Sequence, residues 1–220
     1  MSIVKSRTRL TTFRRIADNG ALAPLLIKLM MAVNDLGIAD DGLRRWIENP
    51  PSEHQDRIQG AKSYFVRLMV AHTFEALKVV YQINTTPDFK KLVDQCDRQT
   101  REIFARLASI IGTKEYKTMK RIRNAITFHY ETDAIAQAID RQNDKFSDYP
   151  MSVSIGNKTL YWYFEPADRV ADSIIVRDAI GLKTYPVVSA EVDAVAVQLQ
   201  KIGEDLSNFS GYFIPRHVVR

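Results

Sequence analysis

The chain has 220 residues, of which 45% are hydrophobic, and this proportion excludes an intrinsically disordered or fibrous protein. Its 31 Lys and Arg outnumber its 26 Asp and Glu, and the formal net charge of +5 permits a polyanionic partner without requiring one. Nine Gly and eight Pro are few for this length, which favours long helices over many short strands.

The single cysteine, Cys96, excludes an intramolecular disulfide and a zinc site built from cysteines, and it suits a reducing cytoplasm. The longest apolar stretch, residues 21–33, contains Pro24 and Lys28 and is shorter than the roughly 20 residues that a membrane span needs. No Glu-x-x-His pair and no phosphate-binding glycine loop occurs in the sequence. We therefore expect a cytoplasmic protein with no membrane span, no metal and no cofactor.

Apolar residues at helical spacing run through the first two thirds of the chain. Residues 1–18 are basic and predict an arm or a short surface helix, followed by helices over 21–36 and 41–47. A long helix over 52–83 starts at a capping box formed by Ser52 and Gln55. Its apolar arc is wide, which indicates packing on more than one side, as inside a bundle or a dimer. The arc leaves a narrow polar stripe through Arg67, Ala71, Glu75, Lys78 and Gln82.

Two further helices are predicted from their capping residues. Thr86 and Pro87 begin a helix that extends to about Gly112, and its apolar face includes Cys96, which we expect to be buried and unreactive. Thr113 caps a fourth long helix over 114–141. The spacing of its apolar residues predicts a buried side made by Tyr116, Met119, Ile122 and Ile126.

The composition changes near residue 150. Residues 151–155 and 159–164 predict two strands around a turn, with Leu160, Trp162 and Phe164 on the face that packs against the helices. Helices follow over 166–181 and 189–206, and residues from Asn208 onward are predicted to be a tail. The expected fold is mainly α: an antiparallel bundle of four main helices in residues 1–150, with a β-hairpin and closing helices in 151–220 packed on the same domain.

Residues 114–130 hold the most informative polar pattern. Lysines and arginines crowd its first half, and Arg123, Asn124 and His129 then fall within an apolar pattern. Polar side chains among core residues need hydrogen-bond partners or a function.

This segment resembles the Arg-x(4–6)-His motif of the HEPN superfamily (higher eukaryotes and prokaryotes nucleotide-binding), in which Asn often follows the Arg. The resemblance covers roughly residues 20–142, and residues 60–130 are similar to an abortive-infection group within that superfamily. A second match to the Arg-x(4–6)-His pattern occurs at Arg67 and His72. The adjacent Asn124, the position late in a long helix and the preceding basic run distinguish the Arg123–His129 match.

The resemblance implies a metal-independent endoribonuclease, of a kind often found as a toxin or in phage defence, that forms a homodimer with two motifs lining one cleft. Arg123 would stabilise charge on the phosphate, and His129 would exchange a proton with the 2′-hydroxyl or the leaving oxygen. Asn124 would orient His129 or the phosphate. Three further cations would hold the RNA backbone: Lys117, Lys120 and Arg121. A cognate antitoxin or nucleotidyltransferase is an implied partner.

Several alternatives stay open at this stage. Arg123 and His129 lie about 120° apart on a straight helix, so their convergence needs a kink near Phe128 or a second copy. Glu75 and Arg67 either support the motif or form a charge ladder with Lys78 along their own helix. The protein is then a nuclease, a helical interaction module in which the motif is a structural polar network, or the target of a transferase that modifies Tyr130.

Overall fold

A computed structural model describes residues 10–49, 57–127, 130–155, 163–181 and 190–219. The chain is mainly helical with a small antiparallel sheet, as predicted, and the described residues form nine α-helices and two strands. The helices are α1 Phe13–Ala17, α2 Ala23–Glu48, α3 Ile58–Thr85, α4 Pro87–Asp94, α5 Arg98–Ile110, α6 Lys114–Ile122, α7 Thr132–Phe146, α8 Glu165–Ser173 and α9 Ala190–Val218.

Helix α2 is continuous where two separate helices were expected. Gly42 allows close packing within this helix, because a Cβ at this position would lie 2.6 Å from Cζ of Phe65 on α3. Asp35 and His72 meet further along the same pair of helices. Because 42 lies opposite 65 and 35 opposite 72, α2 and α3 run antiparallel.

Helix α3 is the centre of the fold and contacts α2, α4, α5, α6, α8 and α9. Its wide apolar arc is therefore packed largely within the chain. Ala71, which was placed on the polar stripe, is fully buried. The predicted cap at Ser52 lies outside the described residues.

The predicted helix after Thr86 is divided into α4 and α5. Asp97 accounts for the division, because its side chain accepts hydrogen bonds from the Thr100 backbone at 2.9 Å and from the Thr100 hydroxyl at 2.8 Å, which caps a new helix. Cys96 lies at the break and is buried, as expected, and burial raises the pKa of its thiol.

The predicted fourth helix begins at its Thr113 cap but is not continuous. Helix α6 ends at Ile122, a π-helical segment covers Arg123–Thr127, and α7 starts at Thr132. Met119, Ile122 and Ile126 are buried as the spacing predicted.

Strands β1 (Val153–Ser154) and β2 (Tyr163–Phe164) pair antiparallel, with Val153 opposite Phe164. The expected inward face is wrong at Phe164, which is 47% exposed, whereas Tyr163 is only 8% exposed. Tyr163 turns inward because the Arg57 guanidinium lies over its ring at 5.5 Å and its hydroxyl bonds to Asp168. Leu160 and Trp162 lie outside the described residues.

The C-terminal region is more helical than expected. A π-helical segment, Ile174–Ile180, follows α8 and ends at Gly181 with φ of 87°. The predicted tail is wrong, because α9 continues to Val218, and Phe209 and Phe213 are fully buried in it. Apolar residues of α9 join those of α2, α3 and α5 in one core cluster.

One stretch of the described chain, Gly20–Glu48, is long and apolar enough to cross a membrane by length and composition alone. The mean hydropathy of its most apolar 18-residue window is 1.6, and about 33% of that window is buried inside the fold. Core helices meet the same criterion, and α2 packs along α3 here.

Candidate functional site

The backbone changes its hydrogen-bond pattern at the predicted motif. Arg123 opens the π-helical segment, and the Thr127 hydroxyl donates to the carbonyl of Ile122, five residues earlier, at 3.1 Å. Short π-helical insertions are frequent at functional sites because they redirect side chains that a regular helix would separate. The straight-helix separation of about 120° therefore does not apply across this segment.

Arg123 binds two side chains that the sequence had nominated. Its Nε lies 3.0 Å from Oε1 of Glu75 on α3, and its Nη1 donates to Oδ1 of Asn124 at 3.1 Å. The Arg123 side chain is 27% exposed, and that of Glu75 is 33% exposed. The structure thus joins Arg123, Asn124 and Glu75 at the contact between α3 and the π-helical segment.

Glu75 belongs to both arrangements that the sequence left open. Its Oε2 accepts a hydrogen bond from Lys78 one turn along α3, at 2.8 Å, which is the ladder contact. Its Oε1 faces Arg123, which is the supporting contact. One carboxylate therefore lies between cations from two elements, and the three side chains carry a formal net charge of +1.

Arg67 lies away from this group. Its positive charge acts on Asp168 and Asp172 of α8, where it opposes the rise in pKa that burial causes in both carboxyls. The Asp172 carboxylate also accepts a short hydrogen bond from Ser63. Arg67 thus helps to pack α8 against α3.

Tyr116, which the sequence did not nominate as a site residue, lies close enough to Glu75 and Lys78 to feel their charges. Tyr116 packs its ring against Phe74 with centroids 5.0 Å apart, and burial raises the pKa of its hydroxyl. The charges of Lys78 and Glu75 also act on that hydroxyl. Tyr116 was predicted only as a core residue, and nothing in its spacing distinguishes it from its apolar neighbours.

His129 and Phe128 lie outside the described residues. Tyr130, the next described position, is 78% exposed. Its hydroxyl is therefore accessible to a modifying enzyme.

The three predicted backbone-binding cations, Lys117, Lys120 and Arg121, are exposed on α6. On a regular helix Lys120 lies about 60° from Arg123, Lys117 about 120° and Arg121 about 160°. A phosphate backbone that passes Arg123 would therefore meet Lys120 and Lys117 first, while Arg121 faces nearly the opposite way.

The second Arg-x(4)-His match does not form a pair. Arg67 faces α8, whereas Nδ1 of His72 lies 3.4 Å from Oδ2 of Asp35 on α2. Within the described ranges, no group of three or more His, Cys, Asp or Glu could hold a metal ion.

A groove of about 500 Å³ lies between α2, α3 and α9. Its walls are mostly apolar, and they include Leu36, Ile47, Met69 and Leu199. None of the predicted site residues that the structure describes lines it, so the Arg123 group lies on a separate surface where α3 meets α6.

No family model, curated protein or solved structure matches this chain. The interpretation of the site therefore depends on its residues and their geometry.

Proposed function

We propose that this chain is a metal-independent endoribonuclease of HEPN type, acting in the cytoplasm as a toxin or a phage-defence protein. The observation that supports the proposal is the contact of Arg123 with Asn124 and Glu75 at the π-helical segment. Helices α2, α3, α5 and α6 would form the four-helix core that the resemblance implies.

The chemistry assigned to each residue follows from its type. The Arg123 guanidinium binds a phosphodiester and stabilises the charge that develops on it. His129 takes the proton of the RNA 2′-hydroxyl as it attacks the adjacent phosphate, or donates one to the leaving oxygen. Asn124, already bonded to Arg123, fixes the orientation of that guanidinium.

A homodimer and a cognate antitoxin or nucleotidyltransferase are part of the proposal through the resemblance. The wide apolar arc of α3 no longer argues for a dimer, since α3 is packed by helices of its own chain. A transferase would modify the hydroxyl of Tyr130, which is exposed.

The second candidate function is a non-catalytic helical interaction module. The observation that favours it is the Glu75–Arg123 ion pair itself, because a half-buried pair between α3 and the π-helical segment also joins two elements of a scaffold. In that case the motif contributes to stability and not to chemistry.

Cleavage of single-stranded RNA in excess EDTA tests the proposal. We expect the wild-type protein to leave cyclic phosphate ends, and Arg123→Ala and His129→Ala each to reduce the rate by about 100-fold or more. Arg98→Ala is the matched control, because Arg98 is an exposed arginine paired with Glu102 within α5, and its rate should be unchanged.

The interaction module predicts a different result. It gives no cleavage by the wild-type protein, together with a lower melting temperature for Arg123→Ala. That combination would contradict the nuclease proposal.

A further inference from the structure

The arginine that the proposed function assigns to phosphate is already bound to a carboxylate of its own chain. Oε1 of Glu75 lies 3.0 Å from Nε of Arg123. Both of these atoms are buried, and within the described part of the chain Oε1 accepts no well-directed hydrogen bond. The contact is therefore an ion pair in a poorly screened position.

The carboxylate also has a second cation within reach. Lys78 donates to Oε2 of Glu75 at 2.8 Å from the exposed side of α3. The backbone beneath Glu75 is held by buried neighbours on both sides, Phe74 and Ala76. Any exchange of partners at Glu75 is thus a movement of side chains and not of the helix.

A carboxylate and a phosphate bind guanidinium by the same charge-assisted hydrogen bonds. A phosphodiester that approaches Arg123 must therefore compete with Glu75 for the Nε side of the guanidinium. One phosphodiester carries a single negative charge, as does Glu75. A polynucleotide adds contacts of neighbouring phosphates with Lys120 and Lys117, which are exposed on α6.

We propose that Glu75 is an internal competitor for phosphate at Arg123, which keeps the arginine engaged until a polynucleotide displaces it. Lys78 retains the displaced carboxylate. This inference rests on the proposed function only in taking Arg123 as a phosphate-binding residue. It deepens that function by selecting a run of phosphates over a mononucleotide.

Binding of a fluorescent oligodeoxythymidylate, measured by anisotropy, tests the competition. DNA has no 2′-hydroxyl, so it reports binding without cleavage. We expect Glu75→Gln to bind about 3- to 10-fold more tightly than the wild type, and this gain to disappear in an Arg123→Ala background. Glu102→Gln, which removes an exposed carboxylate paired with Arg98 on α5, controls for the change in net charge.

Two results would overturn the competition. Weaker binding by Glu75→Gln would show that Glu75 holds Arg123 ready for phosphate. An equal gain in the presence and absence of Arg123 would show a general effect of charge.

Lys78→Met gives a second measurement should Glu75→Gln fold poorly. Without Lys78, Glu75 binds Arg123 alone, so oligonucleotide binding should weaken by more than it does in Lys91→Met. Lys91 is the matched control, because it pairs with Asp88 three residues earlier on α4. Equal weakening in the two variants would contradict the proposal.

The cleavage assay and the binding assay can contradict the two proposals independently of each other. If RNA is not cleaved but the gain in affinity from Glu75→Gln depends on Arg123, the nuclease proposal is wrong. The competition between Glu75 and phosphate at Arg123 would then still hold. If RNA is cleaved but the effect of Glu75→Gln on binding does not depend on Arg123, the nuclease proposal holds and the competition is contradicted.

Discussion

Two glycines within helices, Gly37 and Gly60, have very different surroundings in this fold. A Cβ added at Gly37 in α2 would meet no atom within 4 Å. A Cβ added at Gly60 in α3 would overlap the Asp168 carboxylate, lying 2.6 Å from its Cγ. Gly60 therefore allows α8 to approach α3, whereas Gly37 only weakens its helix.

Substituting each glycine by alanine should change stability in opposite directions. Gly37→Ala should raise the free energy of unfolding by about 0.5–1 kcal/mol, because alanine is the better helix former. Gly60→Ala should lower it by about 1–3 kcal/mol through the overlap with Asp168. Urea denaturation measures both.

The Asp168→Ala background provides the control for that pair, since it removes the group that Gly60→Ala would strike. The loss from Gly60→Ala should shrink markedly there. Stabilisation by both glycine substitutions in the wild-type background would contradict the close packing of α8 on α3.

Sequence reasoning reached the site only in part at this scale. The adjacent Arg123 and Asn124 stood out because they are polar residues in an apolar pattern. Glu75 was nominated from the stripe of its helix, with two roles left open, and the contact with Arg123 depends on how α3 packs on α6. Tyr116 was missed because a half-buried tyrosine has the same spacing as any core residue.

At the scale of helices, the first residue of a helix could be predicted from the sequence where a capping side chain precedes it. The Thr113 side chain accepts from the backbone of Tyr116, as predicted, whereas Thr86 occupies the N-cap position before Pro87 without a capping hydrogen bond from its side chain. The interruptions were not readable, because the apolar spacing continues across Gln95–Asp97 and across Arg123–Thr127. A π-helical segment shifts the register while keeping apolar residues inward, so periodicity does not reveal it.

In the final helix the sequence led to the opposite error, since a helix was predicted to end where it continues. Residues from Asn208 onward, which include Gly211 and Pro215, were predicted to be a tail, yet α9 continues through them to Val218. Packing outweighs the low helix propensity of that glycine and proline: Phe209 lies 5.2 Å from Phe104 and 5.0 Å from Phe213, measured between ring centroids.

Removing one of these rings should destabilise the whole protein. Phe209→Ala should lower the free energy of unfolding by about 3–5 kcal/mol, as expected for a buried phenylalanine that leaves a cavity. Tyr212 lies on the same helix but is 45% exposed. Tyr212→Ala should therefore lower the free energy of unfolding by about 1 kcal/mol or less. Similar small losses in both variants, measured by chemical denaturation, would indicate a tail after Asn208.

The two ends of the described chain meet at the scale of the whole molecule. The Thr11 hydroxyl donates to the carbonyl of Val218, and the Asn19 amide donates to the carbonyl of His217 at 3.1 Å. These donors satisfy carbonyls at the end of α9 that have no partner within the helix. The segment before α2 thus closes the C-terminal helix, a contact between residues about 200 positions apart that no local pattern predicts.

His217 makes this junction sensitive to pH. Its ring lies 4.5 Å from that of Phe213, and its Nε2 is buried without a hydrogen-bond partner among the described residues. Burial, and secondarily the charge of Arg216, lower the pKa of the imidazole. The folded state therefore favours neutral His217, and its contribution to stability is complete above the unfolded pKa of about 6.5 and is lost as the pH falls below that value.

Unfolding free energies at pH 7.5 and pH 5.0 test this linkage. The wild type should lose stability at pH 5.0, and the loss should be smaller in His217→Phe, which keeps an aromatic ring beside Phe213 but binds no proton. The half-buried Asp168 and Asp172 work in the opposite sense, since their raised pKa values favour the folded state as they gain protons on acidification. An equal loss in wild type and variant would assign the acid sensitivity to groups other than His217, because both proteins share every other titrating side chain.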